Sequence, residues 1–298
     1  MAVYKRTYHG YDGPLTAEWR RFLVLPRYAF EDMRKNKRFF NFLIFSFAWP
    51  LLCLAFVYLN HSASLLRMLR VSTPEILRVD TQFFLIFLGV QSMLGVFVAA
   101  FGGASLVAPD IANNAIPLYL SRPFSRAEYV LGKGSMLMIL LSLMTWVPGL
   151  LLFCLEGNFS GWSWMWDNRS IAIGVFFGSW VWILMLTCQA LAYSAWVRMK
   201  HLGSAMMFIV YFGSAAFGNA IDAILNTRWG ALIDISSIMG CIWISLFGED
   251  IRRVRGTPFF NVHGSGLPLW MSWAMVLLIC SFCLYMLNKK IQAVEVVK

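Results

Sequence analysis

The chain has 298 residues, of which 59% are hydrophobic and only 13% charged. Soluble domains run at about 45–50% apolar and about 25% charged, so this composition excludes an ordinary water-soluble fold and points to the bilayer as solvent. The net charge of +10 is spread over segment ends and joining segments, with no basic stripe interleaved with aromatics, which argues against nucleic acid as a partner.

Residues 1–38 form a charged arm. Within it Trp19, Phe22, Leu23, Pro26, Phe30 and Met33 share one arc of a helix plotted at about 100° per residue, with Arg20, Arg27, Glu31, Arg34 and Lys35 opposite. Such a stripe predicts an interfacial amphipathic helix on the cytoplasmic face, its basic residues near anionic headgroups. The alternative is a helix packed on the protein's own cytoplasmic side, and in either case Pro26 should kink or restart it. The arm lacks the short basic start and small-residue cleavage site of a signal peptide and is expected to stay on the mature protein.

Runs without Lys, Arg, Asp or Glu follow at 39–59, 83–107, 134–155, 171–196, 203–221 and 266–287, each near the ~20 residues that cross ~30 Å of hydrocarbon. They predict an all-α integral membrane protein with six transmembrane helices in one domain, 39–298. The arm, Arg122, Arg126, Lys133, Arg198, Lys200, Lys289, Lys290 and Lys298 outweigh Arg67, Arg70, Arg78, Arg169, Arg228, Arg252, Arg253 and Arg255 on the other side, placing both termini in the cytoplasm. Residues 231–248 are apolar apart from Asp234 and read as a seventh span or as a short external or re-entrant helix. Charge bias is the same either way, and Asp234 with the Gly/Ser content favours the second.

The six runs hold no ionisable residue, where an ion-coupled transporter needs one at depth, and Asp222 and Asp234 read as solvated end residues. His9, His61, His201 and His263 are scattered, no catalytic motif is found, and the chain is not expected to be an enzyme or to hold a metal or cofactor itself. The stretch 131–135 resembles a phosphate loop only superficially, because Ala127 and Gly134 stand where Gly and Ser/Thr are needed. Cys280 and Cys283 form a C-x-x-C in mid-run that reads as packing. Gly174 with Gly178, and Ser214 with Gly218, allow close helix approach, within the chain or between chains.

The connection 108–133 combines an acidic residue, exposed apolar groups and a basic exit. Leu118, Tyr119 and Leu120 followed by Arg122 and Pro123 offer an anchor to a soluble partner, and Ser125 with Glu128 makes a capping box for the next helix. Here the chain resembles the permeases of type-2 ABC exporters, matching their pattern at Asp110, Leu118, Leu120, Ser121, Pro123, Ser125, Arg126, Tyr129, Gly132 and Lys133. The resemblance implies a multi-pass inner (plasma) membrane protein acting as a dimer of identical or paralogous permeases on two copies of a separate ABC ATPase, which binds the ATP and Mg. It implies that Asp110, Leu118, Tyr119, Ser121, Arg122, Pro123, Ser125 and Arg126 belong to a coupling helix, and that a partial-span extracellular segment precedes the last helix. The second and fifth spans would line the path, with Gln91, Ser92, Tyr211 and Asn219 as candidate lining residues that could equally bond across helices. A hydrophobic or amphipathic cargo is the expectation, and a scaffold or mechanotransmission subunit without substrate passage is the alternative.

Overall fold

In hydrocarbon the backbone has no water to bond, so long apolar runs fold as helices that satisfy their own N–H and C=O groups. The computed structural model describes residues 24–62, 79–117, 125–197, 199–226, 229–248 and 268–291, and among these residues the chain is all-helical with no strand. Six helices are long and apolar enough to cross a membrane: Phe39–His61, Thr81–Ala112, Arg126–Ser160, Arg169–Trp196, His201–Leu225 and Leu269–Lys290. The protein is thus a multi-pass membrane protein, and these are its first to sixth spans.

Short polar side chains start the helices where the pattern requires an N-cap. Asn36 accepts from the Phe39 amide at 3.4 Å, and Asp80 from the Phe83 amide at 3.1 Å. Ser125 and Glu128 form the expected reciprocal capping box. The third span is two helices, Arg126–Met144 and Trp146–Ser160. They break at Thr145, whose hydroxyl turns back to the Leu141 carbonyl at 2.7 Å, and Pro148 follows without an N–H to continue the ladder.

Contacts between span ends establish an up-and-down bundle. At one end, called the near end, Phe39 covers Gly102, Asp110 meets Lys133, Ser194 bonds Val107, Ser204 bonds Ala100 and Trp196 bonds the Met286 carbonyl. At the far end His61 closes on Glu156. Exposed Trp162, Trp166, Trp229 and Trp270 also gather toward the far end, beside the 161–168 turn and the 226–268 segment, where an aromatic belt forms at a membrane–water boundary.

The second span is central, with 67% of its apolar window buried inside the chain, whereas the fifth is 6% buried and displays its side chains outward. Between the fifth and sixth lies Ile235–Leu246, a helix of 12 residues. At about 18 Å long it falls short of the ~30 Å of hydrocarbon. It is buried along nearly its whole length. The Gly174/Gly178 pair seats it within the chain: a Cβ on Gly174 would stand 2.6 Å from the Phe247 ring, and one on Gly178 2.6 Å from Trp243. Trp243 Nε1 donates to the Gly178 carbonyl at 2.9 Å.

The fifth span and the turn after it make a second close approach. A Cβ on Gly230 would lie 2.0 Å from the Gly218 carbonyl oxygen, and one on Gly218 2.5 Å from the Gly230 oxygen. Asp222 Oδ1 fastens this contact by accepting the Gly230 amide at 2.7 Å. Gly218, expected to admit a neighbouring helix, admits this turn instead.

Two carboxylates differ from expectation. Asp234 is only 2% exposed and caps the short helix, accepting from the Ser236 amide at 2.9 Å and from the Ser236 and Ser237 hydroxyls at 2.7 and 2.6 Å. Helix dipole and hydroxyls replace the water expected around it. Glu156 directly follows the uncharged run 134–155, and the helix continues to Ser160 and buries it to 4% exposure. His61 Nε2 lies 3.0 Å from both of its carboxylate oxygens, and Ser160 donates to Oε1 at 2.7 Å. Five of the six spans run longer than their uncharged runs, and the spans carry ionisable groups near their ends.

Candidate functional site

The second span ends in a turn built on Asp110. Asn114 takes a left-handed conformation, φ 51°, which asparagine tolerates better than most side chains. The Ala115 amide then donates to the Asp110 carbonyl at 2.8 Å and the Asn114 amide to Ile111 at 3.2 Å, a Schellman motif with asparagine in the glycine position. The backbone of Asp110 thus closes its own helix while its side chain leaves for the next one.

That side chain meets the first turns of the third span. Tyr129 Oη donates to Asp110 Oδ2 at 2.7 Å, and Lys133 Nζ lies 2.9 Å from the same oxygen. Tyr129 and Lys133 are four residues apart and share a helix face, and the Lys133 ammonium sits 5.9 Å from the Tyr129 ring centroid. The capping box fixes where this helix begins and hence which face it turns to Asp110: the Ser125 amide donates to Glu128 Oε2 at 2.6 Å and the Glu128 amide to Ser125 Oγ at 3.2 Å. Tyr129 is 1% exposed, and the Asp110 and Lys133 side chains are 14% and 13% exposed. A pair this dry is held by geometry and by its additional hydrogen bond, and removing one member strands the other.

Of the residues expected to form a coupling helix, Asp110, Ser125 and Arg126 are described, the last two exposed beside the tie. Leu118, Tyr119, Ser121, Arg122 and Pro123 lie outside the described residues, as do Trp19, Phe22 and Leu23 of the arm. The arm's helix, Val24–Lys35, packs against the start of the third span. Its Met33 is buried over Gly102 while Phe30 is 41% exposed, so one helix both packs on its own chain and offers an apolar side chain outward. Pro26 is helical and buried within it.

The four candidate lining residues separate. Gln91 and Ser92 are buried within the chain, Gln91 donating across to the Ser46 carbonyl at 3.3 Å and Ser92 to Gly89 in its own helix at 2.8 Å. Tyr211 is buried edge-on to Trp182, centroids 5.9 Å apart, and Asn219 is exposed. Among the described residues no group of three or more His, Cys, Asp or Glu is arranged to hold a metal. Sequence reasoning missed the partnership of His61 with Glu156 and the cross-helix bonding of Ser194. Glu156 was visible as a lone acid at the edge of an apolar run; Ser194 carried no signal.

No family model matches the chain, and no curated protein matches it. Fold and site define a multi-pass helical membrane protein whose second and third spans are tied together by a partly buried ion pair at one end.

Proposed function

We propose that the chain is the transmembrane permease subunit of an ATP-driven ABC transporter, paired with a second permease chain, identical or paralogous, on two separate ATPase subunits that supply ATP and Mg. The observation that carries this reading is the tie itself. Asp110, Tyr129 and Lys133 are all positions of the resembled pattern, and they close on one another at both roots of the connection 113–125. A connection rooted this way passes a push from a soluble partner into the second and third spans together, which is the mechanical task of a coupling helix. Exposed Arg126 and the connection's Arg122 provide the charge for docking on that partner. The outward face of the fifth span, 6% buried, supports a second permease chain beside it. On this reading the near end is cytoplasmic, both termini are inside, the membrane is the inner (plasma) membrane, and the chain itself catalyses nothing. The apolar spans favour export of a hydrophobic or amphipathic cargo.

The test is a mild-detergent pull-down of tagged protein, wild type beside an Arg122→Glu, Arg126→Glu double variant. An ATPase that accompanies the wild type and is lost or uncoupled in the variant is the expected result. Wild-type protein that purifies alone, under conditions that hold other ABC complexes together, would sink the transporter reading and favour a scaffold.

A further inference from the structure

The second span is not one α-helix. It runs as α-helix over Thr81–Val98, as π-helix over Ala99–Gly103 and as α-helix again over Ala104–Ala112, with Pro109 inside the last segment. Ser194 of the fourth span bonds the α-helical segment just beyond the π turn. Its hydroxyl donates to the Ala104 carbonyl at 2.9 Å and accepts the Val107 and Ala108 amides at 3.1 and 3.0 Å, so its one donor and both lone pairs are engaged. In a regular α-helix the Ala108 amide bonds the Ala104 carbonyl and the Val107 amide bonds Gly103. Ser194 therefore adds a cross-helix bond to both ends of the Ala104–Ala108 step, in the α-helix that follows the π turn. Ser204 of the fifth span holds the Ala100 carbonyl at 2.7 Å, and Gly103 lets Ala190 come close enough that an added Cβ would lie 2.5 Å away.

We infer that the second span has two registers and that Ser194 is the positioning residue that holds the one described here. A π turn contains one residue more than the α turn it replaces. Closing it to α turns everything beyond it by about 100° and advances it by about 1.5 Å, which swings Asp110 off Tyr129 and Lys133 and re-aims the connection 113–125. The Ala108 amide and the Ala104 carbonyl are placed to bond each other without Ser194, as a transition in a dry interior requires. That an ATPase drives this exchange rests on the reading above; the two registers do not.

The experiment uses the full chain in its native membrane. The chain has no cysteine between Arg78 and Arg122, so single cysteines at Leu106, Val107, Ala108, Ile111 and Ala112 can be labelled with a permeant thiol reagent and read by mass spectrometry on that fragment alone. With Ser194 present, reactivity should follow the observed face, low at Leu106, Val107 and Ala108 and highest at Ala112. In Ser194→Ala the reactive face should move round the helix by about one residue, and Ser194→Thr, which keeps the hydroxyl, should restore the original phase. Should Ser194→Ala fail to accumulate, Ser204→Ala loosens the other end of the π segment and should move the phase the same way. An unchanged phase, whether reactivity rises at all five positions or stays as it was, would overturn the two registers and leave Ser194 as packing. This labelling needs no partner, so its failure leaves the transporter reading standing, and a failed pull-down leaves the registers standing.

Discussion

Tyr129 brings a single hydroxyl to the foot of the bundle, and removing it isolates the contribution of that hydroxyl to the tie. Tyr129→Phe keeps the ring under Lys133 and loses the hydroxyl that bonds Asp110, so it should lower stability by about 1–2 kcal/mol, seen as earlier thermal unfolding in detergent. Lys133→Met should cost more, about 3–5 kcal/mol, because the Asp110 carboxylate is left without its cation, and the further change Asp110→Asn should recover part of that loss. At the far end, His61→Ala removes the partner of a carboxylate that is 4% exposed. It should destabilise by about 1–3 kcal/mol, and Glu156→Gln in the same chain should soften the effect. The sequence disclosed the capping box because its two members are three positions apart. It did not disclose the Asp110 or Glu156 partnerships as contacts, because those join residues on different helices and only packing brings them together.

At the scale of elements, apolar runs marked all six spans, since the ~20-residue requirement of the bilayer is written directly into composition. Their ends were less legible. An uncharged run stops at the first acid or base, whereas a helix stops where its backbone groups find caps, and the third span passes through Glu128, Lys133 and Glu156 before ending at Ser160. The π turn in the second span was equally hidden, since Pro109 lies beyond it, inside the α-helix that follows. Ile235–Leu246 tests how well glycine explains packing. Gly178→Ala should drive a methyl into Trp243 and cost about 1–3 kcal/mol by overpacking. Gly213→Ala, where the nearest atom to an added Cβ is 4.0 Å away, should be close to neutral in the same unfolding measurement.

For the molecule as a whole, the end-to-end contacts require the 113–125 connection and the 161–168 turn to lie on opposite faces of the membrane. Cysteines introduced at Asn113 and Ser163, both exposed, should react with an impermeant thiol reagent from opposite sides of sealed vesicles; labelling of both from one side would contradict the bundle. The Gly218–Gly230 contact has a different reach. Backbone meets backbone there, so no amino acid with a side chain fits at either position, and a saturation library should return two empty columns. Neither glycine touches the Asp110 tie. If the chain works as the proposed permease, a screen scored only by loss of transport would rank both beside the proposed coupling residues, and only a parallel count of how much protein reaches the membrane would separate a jammed hairpin from a broken engine.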